Sequence, residues 1–152
     1  MTNRHDSTDD PSTPRISYLV FRLERRIRAH LDEALARHGI TTTEYMALSE
    51  LRIRDGLSSA QLARIAFVTP QAMSLVIRDL EDRELVRRTP DPSQRRVLRT
   101  SLTRKGQNTL RRCDQALDGI EGGMLGDVDI PTRKTLAETL TECARSLRTN
   151  AS

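Results

Sequence analysis

Gln71, Ser74, Leu75 and Arg78 are spaced as one face of a helix. Met73, Val76, Ile77 and Leu80 form the opposite, apolar face. A helix that enters the major groove of DNA needs this division. One face packs on its own domain, and the other offers short polar and long basic groups to base edges. Gln71 suits adenine or another base edge, and Arg78 suits guanine or a phosphate. Ser74 permits close approach, and Leu75 suits a thymine methyl. Thr69 is a good N-cap and Pro70 a good first-turn residue, so the free amides that follow can attract a phosphate. Ser58, which opens an earlier helix, has the same property. Taken alone, these residues are also what an ordinary exposed helix face would show.

The flanking sequence weighs against that plainer reading. Between 83 and 105 stand Arg83, Arg87, Arg88, Arg95, Arg96, Arg99, Arg104 and Lys105, opposed only by Glu84 and Asp91. "LVRRT" and "RRVLRTSL" have the alternation of short strands, and "PDPSQ" between them is a turn. The result is a hairpin with Arg95 and Arg96 at or beside its tip. A guanidinium on a narrow ribbon can enter the minor groove or clamp the flanking backbone. The competing role for either arginine is a salt bridge to Asp91 that merely holds the turn. Arg88, on the first strand, joins the DNA-binding candidates.

Signatures of catalysis are missing. The chain has no glycine-rich phosphate loop and no G-x-S-x-G, so it is not expected to be an enzyme. His5, His30 and His38 are scattered, and the last two lie too far apart for an i, i+4 metal pair. They are expected to face solvent. Cys113 and Cys143 sit on apolar stripes and are expected to be buried, as packing residues rather than ligands. Neither a metal nor a cofactor is expected.

These candidates need a scaffold. At 152 residues, with 36% hydrophobic and 30% charged residues, the composition is that of a globular domain. With aromatics at 3%, the core falls to aliphatic side chains, which suits packed helices. The net charge of +4 is a weak pointer to a polyanion. No run of 18 apolar residues occurs, and "MTNRHDSTDDPSTP" contains no apolar h-region. Residues 1–15 are therefore read as a disordered tail, with no membrane association, and the cytoplasm is the expected location.

The stripe Ile16, Leu19, Val20, Leu23, Ile27, Leu31 and Leu35 predicts a first helix, ended by Gly39. Thr41 with Glu44, and Ser58 with Gln61, are capping boxes that open the second and third helices. The third carries Leu62, Ile65 and Ala66 inward, and the tight "FVTP" turn leads into the fourth. After the hairpin, "LTRKG" opens a long helix with Leu110, Cys113, Leu117 and Ile120 on one side. Gly119, Gly122, Gly123 and Gly126 predict a break or bend between 121 and 130. Asp129 and Pro131 then start a last helix whose stripe is Leu136, Leu140, Cys143, Ala144 and Leu147. The fold class is mainly α with a small β-hairpin wing: a winged helix-turn-helix lobe over 41–102, plus a helical dimerisation region over 16–40 and 103–150. The terminal stripes, including Ile16, Leu19, Leu23, Leu136, Leu140 and Leu147, lack partners in a compact winged lobe and call for a second copy of the chain.

"ITTTEYMAL", "LSSAQLARIAFVTPQAMSLVIRDLEDRELVRR", "PDPSQRR" and "LTRKG" together resemble the MarR family of bacterial transcriptional regulators, over about residues 16–148. The resemblance implies a homodimer whose first and last two helices interlock, with one winged lobe per subunit. It implies a repressor-type regulator that binds double-stranded DNA at a pseudo-palindromic operator, and a small aromatic or phenolic ligand that releases it. By matching positions it makes the fourth helix the recognition helix and Arg95 and Arg96 the wing arginines. Three positions depart from the family pattern. Leu75 stands where many members are basic. Gln94 stands where many have Asp, which leaves Arg96 to rely on Asp91 or on DNA. Glu84 replaces a common glycine, so the turn there is expected to differ or to be strained. The competing function is a winged-helix protein-interaction module that does not read DNA; the basic hairpin tip weighs against it.

Overall fold

The computed structural model describes residues 12–149. Most of the expected tail, with His5, lies outside the described residues. The chain divides into two compact units, Met1–Ala116 and Leu117–Ser152.

The first unit holds α1 (Ile16–Ala36), α2 (Thr42–Ile53), α3 (Ser59–Ala66), α4 (Pro70–Asp82), β1 (Val86–Pro90), β2 (Leu98–Leu102) and the first half of α5 (Arg104–Leu125). Both expected capping boxes are formed. The Thr41 hydroxyl accepts from the Glu44 amide at 3.1 Å while the Glu44 carboxylate accepts from Thr41 N at 2.9 Å. Ser58 and Gln61 repeat the arrangement at 3.2 and 2.9 Å. Each box satisfies two amides that have no partner inside the helix, which is why these helices begin where the sequence indicates. Gly39 follows α1 with φ +68°, a backbone position that glycine adopts without a Cβ penalty.

Leu35, Leu48, Leu62, Met73, Ile77 and Leu80 are all fully buried and form the core on which α3 and α4 sit. β1 and β2 pair antiparallel from Val86↔Leu102 to Pro90↔Leu98. The segment before α3 adds a third pairing. Thr100 N donates to Leu57 O at 3.0 Å and Gly56 N to Thr100 O at 3.1 Å, which fastens the wing to the start of α3. A two-strand reading of the sequence omits this pairing because a single bridge leaves no alternating pattern.

The turn after α4 keeps the geometry of the missing glycine. Glu84 has φ +60°. The start of α5 holds it there: Thr103 Oγ1 donates to Glu84 O at 2.6 Å, Thr103 N to Leu85 O at 3.1 Å and Lys105 Nζ to Arg83 O at 2.9 Å. Gly106 makes this approach possible, since a Cβ there would stand 2.0 Å from Leu85 O. The glycine of "LTRKG" is thus a packing requirement.

The second unit contains the rest of α5 and α6 (Ile130–Thr149). The break falls inside the expected window, yet Gly119, Gly122 and Gly123 remain helical and only Gly126 lies in the connection. Asp129 caps α6 as expected, accepting from Thr132 N at 2.9 Å. That bond and the Thr132 hydroxyl hold its carboxyl below the usual range. Cys113 is buried as expected, and burial pushes its thiol pKa up. Cys143 is exposed, contrary to expectation. The stripe it belongs to is not covered by the described residues of one chain, and Leu136 and Leu140 are about two-fifths exposed for the same reason. His30 is exposed as expected, whereas His38 is half-buried. Among the described residues no single helix is long and apolar enough to cross a membrane.

Candidate nucleic-acid interface

The recognition face begins with its cap. The Thr69 hydroxyl accepts from Ala72 N at 3.1 Å, and Pro70 occupies the first helical position, where no intrahelical donor is needed. α4 buries Met73, Ile77 and Leu80 and leaves Gln71, Ser74, Leu75 and Arg78 exposed. None of Gln71, Ser74 or Arg78 makes a side-chain hydrogen bond or ion pair among the described residues, so their donors and acceptors are open to a ligand. Leu75 is 63% exposed, an apolar group left in water on the same face.

α4 is anchored at its far end. Arg83 Nη1 lies 2.8 Å from Asp79 and 3.3 Å from both Glu44 oxygens, and Arg83 Nη2 donates to Gly39 O at 2.6 Å. One guanidinium thereby joins the end of α4 to α2 and to the turn after α1. Arg83 belongs to the basic run read from the sequence, but its charge is engaged inside the lobe. The same holds for Arg88, which donates through Nε to Glu81 at 2.9 Å and pairs with the same carboxylate through Nη2. It is half-buried and braces β1 against α4; a direct DNA contact would require that pair to open.

At the wing, Asp91 is the organising residue. Its Oδ1 accepts from Ser93 N at 2.8 Å, Ser93 Oγ at 2.7 Å and Gln94 N at 3.2 Å, while Oδ2 accepts from Arg99 Nε at 2.5 Å. The Ser93 hydroxyl and amide, then Arg99, hold its carboxyl far below the usual range. Asp91 therefore pairs with Arg99 and not with Arg96. Arg99 faces Thr89 across the hairpin, two residues before Asp91, so register brings it to the carboxylate and leaves the tip arginines out. Arg95 and Arg96 are exposed and bonded to no group among the described residues. They lie in the turn between the strands.

A cleft of about 610 Å³ runs between the start of α3 and the wing, lined among others by Arg54, Ser58, Gln61, Arg64, Gln94 and Arg99. Ser58 is half-buried and its oxygen is engaged in the cap, which leaves its hydroxyl proton to offer. Arg54, just after α2, and Arg64, in α3, have no sequence signal of their own; lone arginines carry no pattern, and only the fold brings them beside the wing. Across 56–78, which covers α3 and most of α4, no Asp or Glu occurs. The acidic residues of α4, Asp79, Glu81 and Asp82, are confined to its last turn, so α3, the turn and the first part of α4 are cationic or neutral.

Phe67 likewise escapes a reading by periodicity. It closes α3 with φ +54° and is 93% exposed. The tight "FVTP" turn is its only sequence signal, since such a turn demands one left-handed residue and usually places glycine there. Among the described residues, no group of three or more His, Cys, Asp or Glu is placed to hold a metal ion.

The family model described as "MarR family" matches residues 38–97. The chain is 34% identical over 125 residues to the HTH-type transcriptional repressor Rv2887 of Mycobacterium tuberculosis, a match covering 82% of this chain and 90% of that protein. The fold matches the crystal structure of Rv2887 in complex with p-aminosalicylic acid at a TM-score of 0.72 and 32% identity, over 86% of this chain and 99% of the other. It matches the structure of Rv2887 in complex with DNA at a TM-score of 0.71 and 30% identity, over 86% and 98%.

Proposed function

The chain belongs to the MarR family of transcriptional regulators, and from that premise we propose that it works as a homodimer on a pseudo-palindromic operator and is released from it by a small aromatic carboxylate or phenol. It is a DNA-binding regulator with a winged helix-turn-helix. One observation carries the reading of this chain's own surface. A stretch without Asp or Glu from 56 to 78, with Gln71, Ser74 and Arg78 unengaged, stands beside a wing whose tip arginines have no partner among the described residues. In this reading Gln71, Ser74, Leu75 and Arg78 meet base edges, while Ser58, Thr69, Pro70, Arg95 and Arg96 meet the sugar-phosphate backbone or the minor groove. The lobe spans 41–102 and the helical region 16–40 and 103–150. Ile16 at 80% and Leu147 at 73% exposure, with Leu19, Leu23, Leu136 and Leu140, supply the apolar surface that a two-fold mate covers. The protein acts in the cytoplasm by binding alone, without catalysis.

The effector class follows from the ligand of the relative. Rv2887 was crystallised with p-aminosalicylic acid and with salicylic acid. The test is selection of duplexes from a random pool by the full-length protein, followed by a salt titration on the selected and on random DNA. The reading expects an enriched inverted repeat and a log–log salt slope of several units. No enrichment and no salt dependence would leave the protein-interaction module in its place.

A further inference from the structure

We propose that Phe67, at the turn between α3 and α4, makes an apolar contact with the DNA itself at the edge of the major groove and contributes to operator affinity. The inference rests on the DNA-binding reading above and adds a residue to it.

Two separate features of Phe67 are unfavourable in the free protein. Its backbone lies in the left-handed region, φ +54°, where a Cβ is crowded and glycine is at home. Its ring is 93% exposed, so it gains nothing from the core. A residue chosen only to close α3 would be glycine or asparagine. The backbone work of the turn does not need the ring: Phe67 N donates to Arg64 O and Val68 N to Ala63 O, as any residue here would do. The ring therefore contributes to something outside the chain.

Position and charge select the partner. Phe67 lies two residues before Thr69, the cap of α4, and three after Arg64, which lines the cleft beside the wing. It stands between the two elements that hold the candidate contacts. No acidic residue occurs from 56 to 78, which fits a polyanion at this turn better than a protein partner of mixed charge. A helix-turn-helix docks with the start of its recognition helix at the base edges, and the turn before it then borders the groove. An exposed ring at that place meets the 5-methyl of a thymine or the face of a deoxyribose. Both are apolar groups that a phenylalanine can cover and a glycine cannot.

The experiment uses the full chain, a duplex selected by the wild-type protein from a random pool, and random duplex. Phe67→Gly should melt a few degrees higher, because it relieves the left-handed strain. It should also bind the selected duplex about tenfold more weakly per half-site, close to a hundredfold for a dimer. Phe67→Leu keeps an apolar group and the strained backbone, and should recover part of that affinity without the rise in melting temperature. Replacing thymines of the selected site one at a time by deoxyuridine separates the two apolar groups. Sensitivity at one position in the wild type that disappears in Phe67→Gly assigns a thymine methyl. Insensitivity throughout, with equal loss on random duplex, assigns the sugar. A Phe67→Gly protein that binds the selected duplex as tightly as wild type overturns the contact while leaving the DNA reading intact. A wild type that enriches no sequence and shows no salt-dependent binding overturns both.

Discussion

Individual side chains at the interface divide by whether the lobe already engages them. Arg83, Arg88 and Arg99 come from the same basic run as Arg95 and Arg96, yet each meets a carboxylate of its own lobe. The tip pair keeps its charge open to an outside partner. Arg95→Ala and Arg96→Ala should therefore weaken binding to selected and random duplex alike, each lowering the salt slope by about one unit per subunit. Retention of the full slope in both variants would remove the wing from the interface. Gln71→Ala and Arg78→Ala should behave differently. Base-edge contacts should cost about 1–3 kcal/mol on the selected duplex and much less on random DNA. Equal losses on both would reassign them as backbone contacts.

Two turns decide whether the elements present those side chains correctly. The wing turn depends on Asp91, whose carboxylate accepts three bonds from Ser93 and Gln94 and one from Arg99. Its pKa is depressed in the folded protein, so its contribution is complete above the unfolded value of about 4 and is lost as pH falls from there towards the folded value. Wing order and DNA affinity should thus be insensitive to this group from about pH 5 to 8. Asp91→Asn should bring faster amide exchange at Ser93 and Gln94 and several-fold weaker DNA binding at neutral pH. Unchanged exchange at those amides would show that the turn holds without the carboxylate. The other turn, after α4, holds Glu84 at φ +60°, with its side chain 84% exposed and 3.9 Å from Lys105 Nζ. Glu84→Gly should stabilise the protein by about 1 kcal/mol in thermal or urea unfolding, since the strain removed exceeds the worth of a surface ion pair. A destabilised variant would mean that the Glu84 side chain contributes more than this geometry suggests.

At the scale of the whole molecule, apolar surface and reciprocity set the expectations. α1 leaves Ile16, Tyr18, Leu19, Val20, Phe21 and Leu23 exposed, more than a monomer in water would tolerate without cost. Sedimentation at micromolar concentration should give about twice the 17.2 kDa chain mass, and a stable monomer there would refute the dimer. A dimer reads two half-sites about 34 Å apart, so an effector should act by favouring a lobe spacing that does not fit the groove. An aromatic carboxylate that weakens operator binding a hundredfold must itself bind a hundredfold more weakly to the operator complex, about 2.7 kcal/mol in either direction. Salicylate titrated with and without the selected duplex measures this directly. Equal salicylate affinity in the two titrations, together with DNA release, would exclude coupling through the protein.

What the sequence determined by itself was local. The Thr41/Glu44 and Ser58/Gln61 boxes, the Thr69 and Asp129 caps and Gly39 work through residues a few positions apart, so their spacing specifies them before any tertiary contact forms. The inward stripe of α4 was legible for the same reason, and with it the outward face of Gln71, Ser74, Leu75 and Arg78. Choices among distant partners belonged to the tertiary structure. Asp91 had several arginines within reach along the chain, and only hairpin register gave it Arg99 and left Arg96 open. Arg88 reads as an exposed strand cation until packing of β1 on α4 sets it against Glu81. Gly106 reads as a weak helix residue until the Leu85 carbonyl occupies the place of its missing Cβ. Cys143 reads as buried because its stripe is apolar, but a stripe states only that a face needs cover, and one chain does not supply it. Phe67 shows the same division: the turn's need for a left-handed residue is local, whereas the exposure of the ring depends on how α3 and α4 pack.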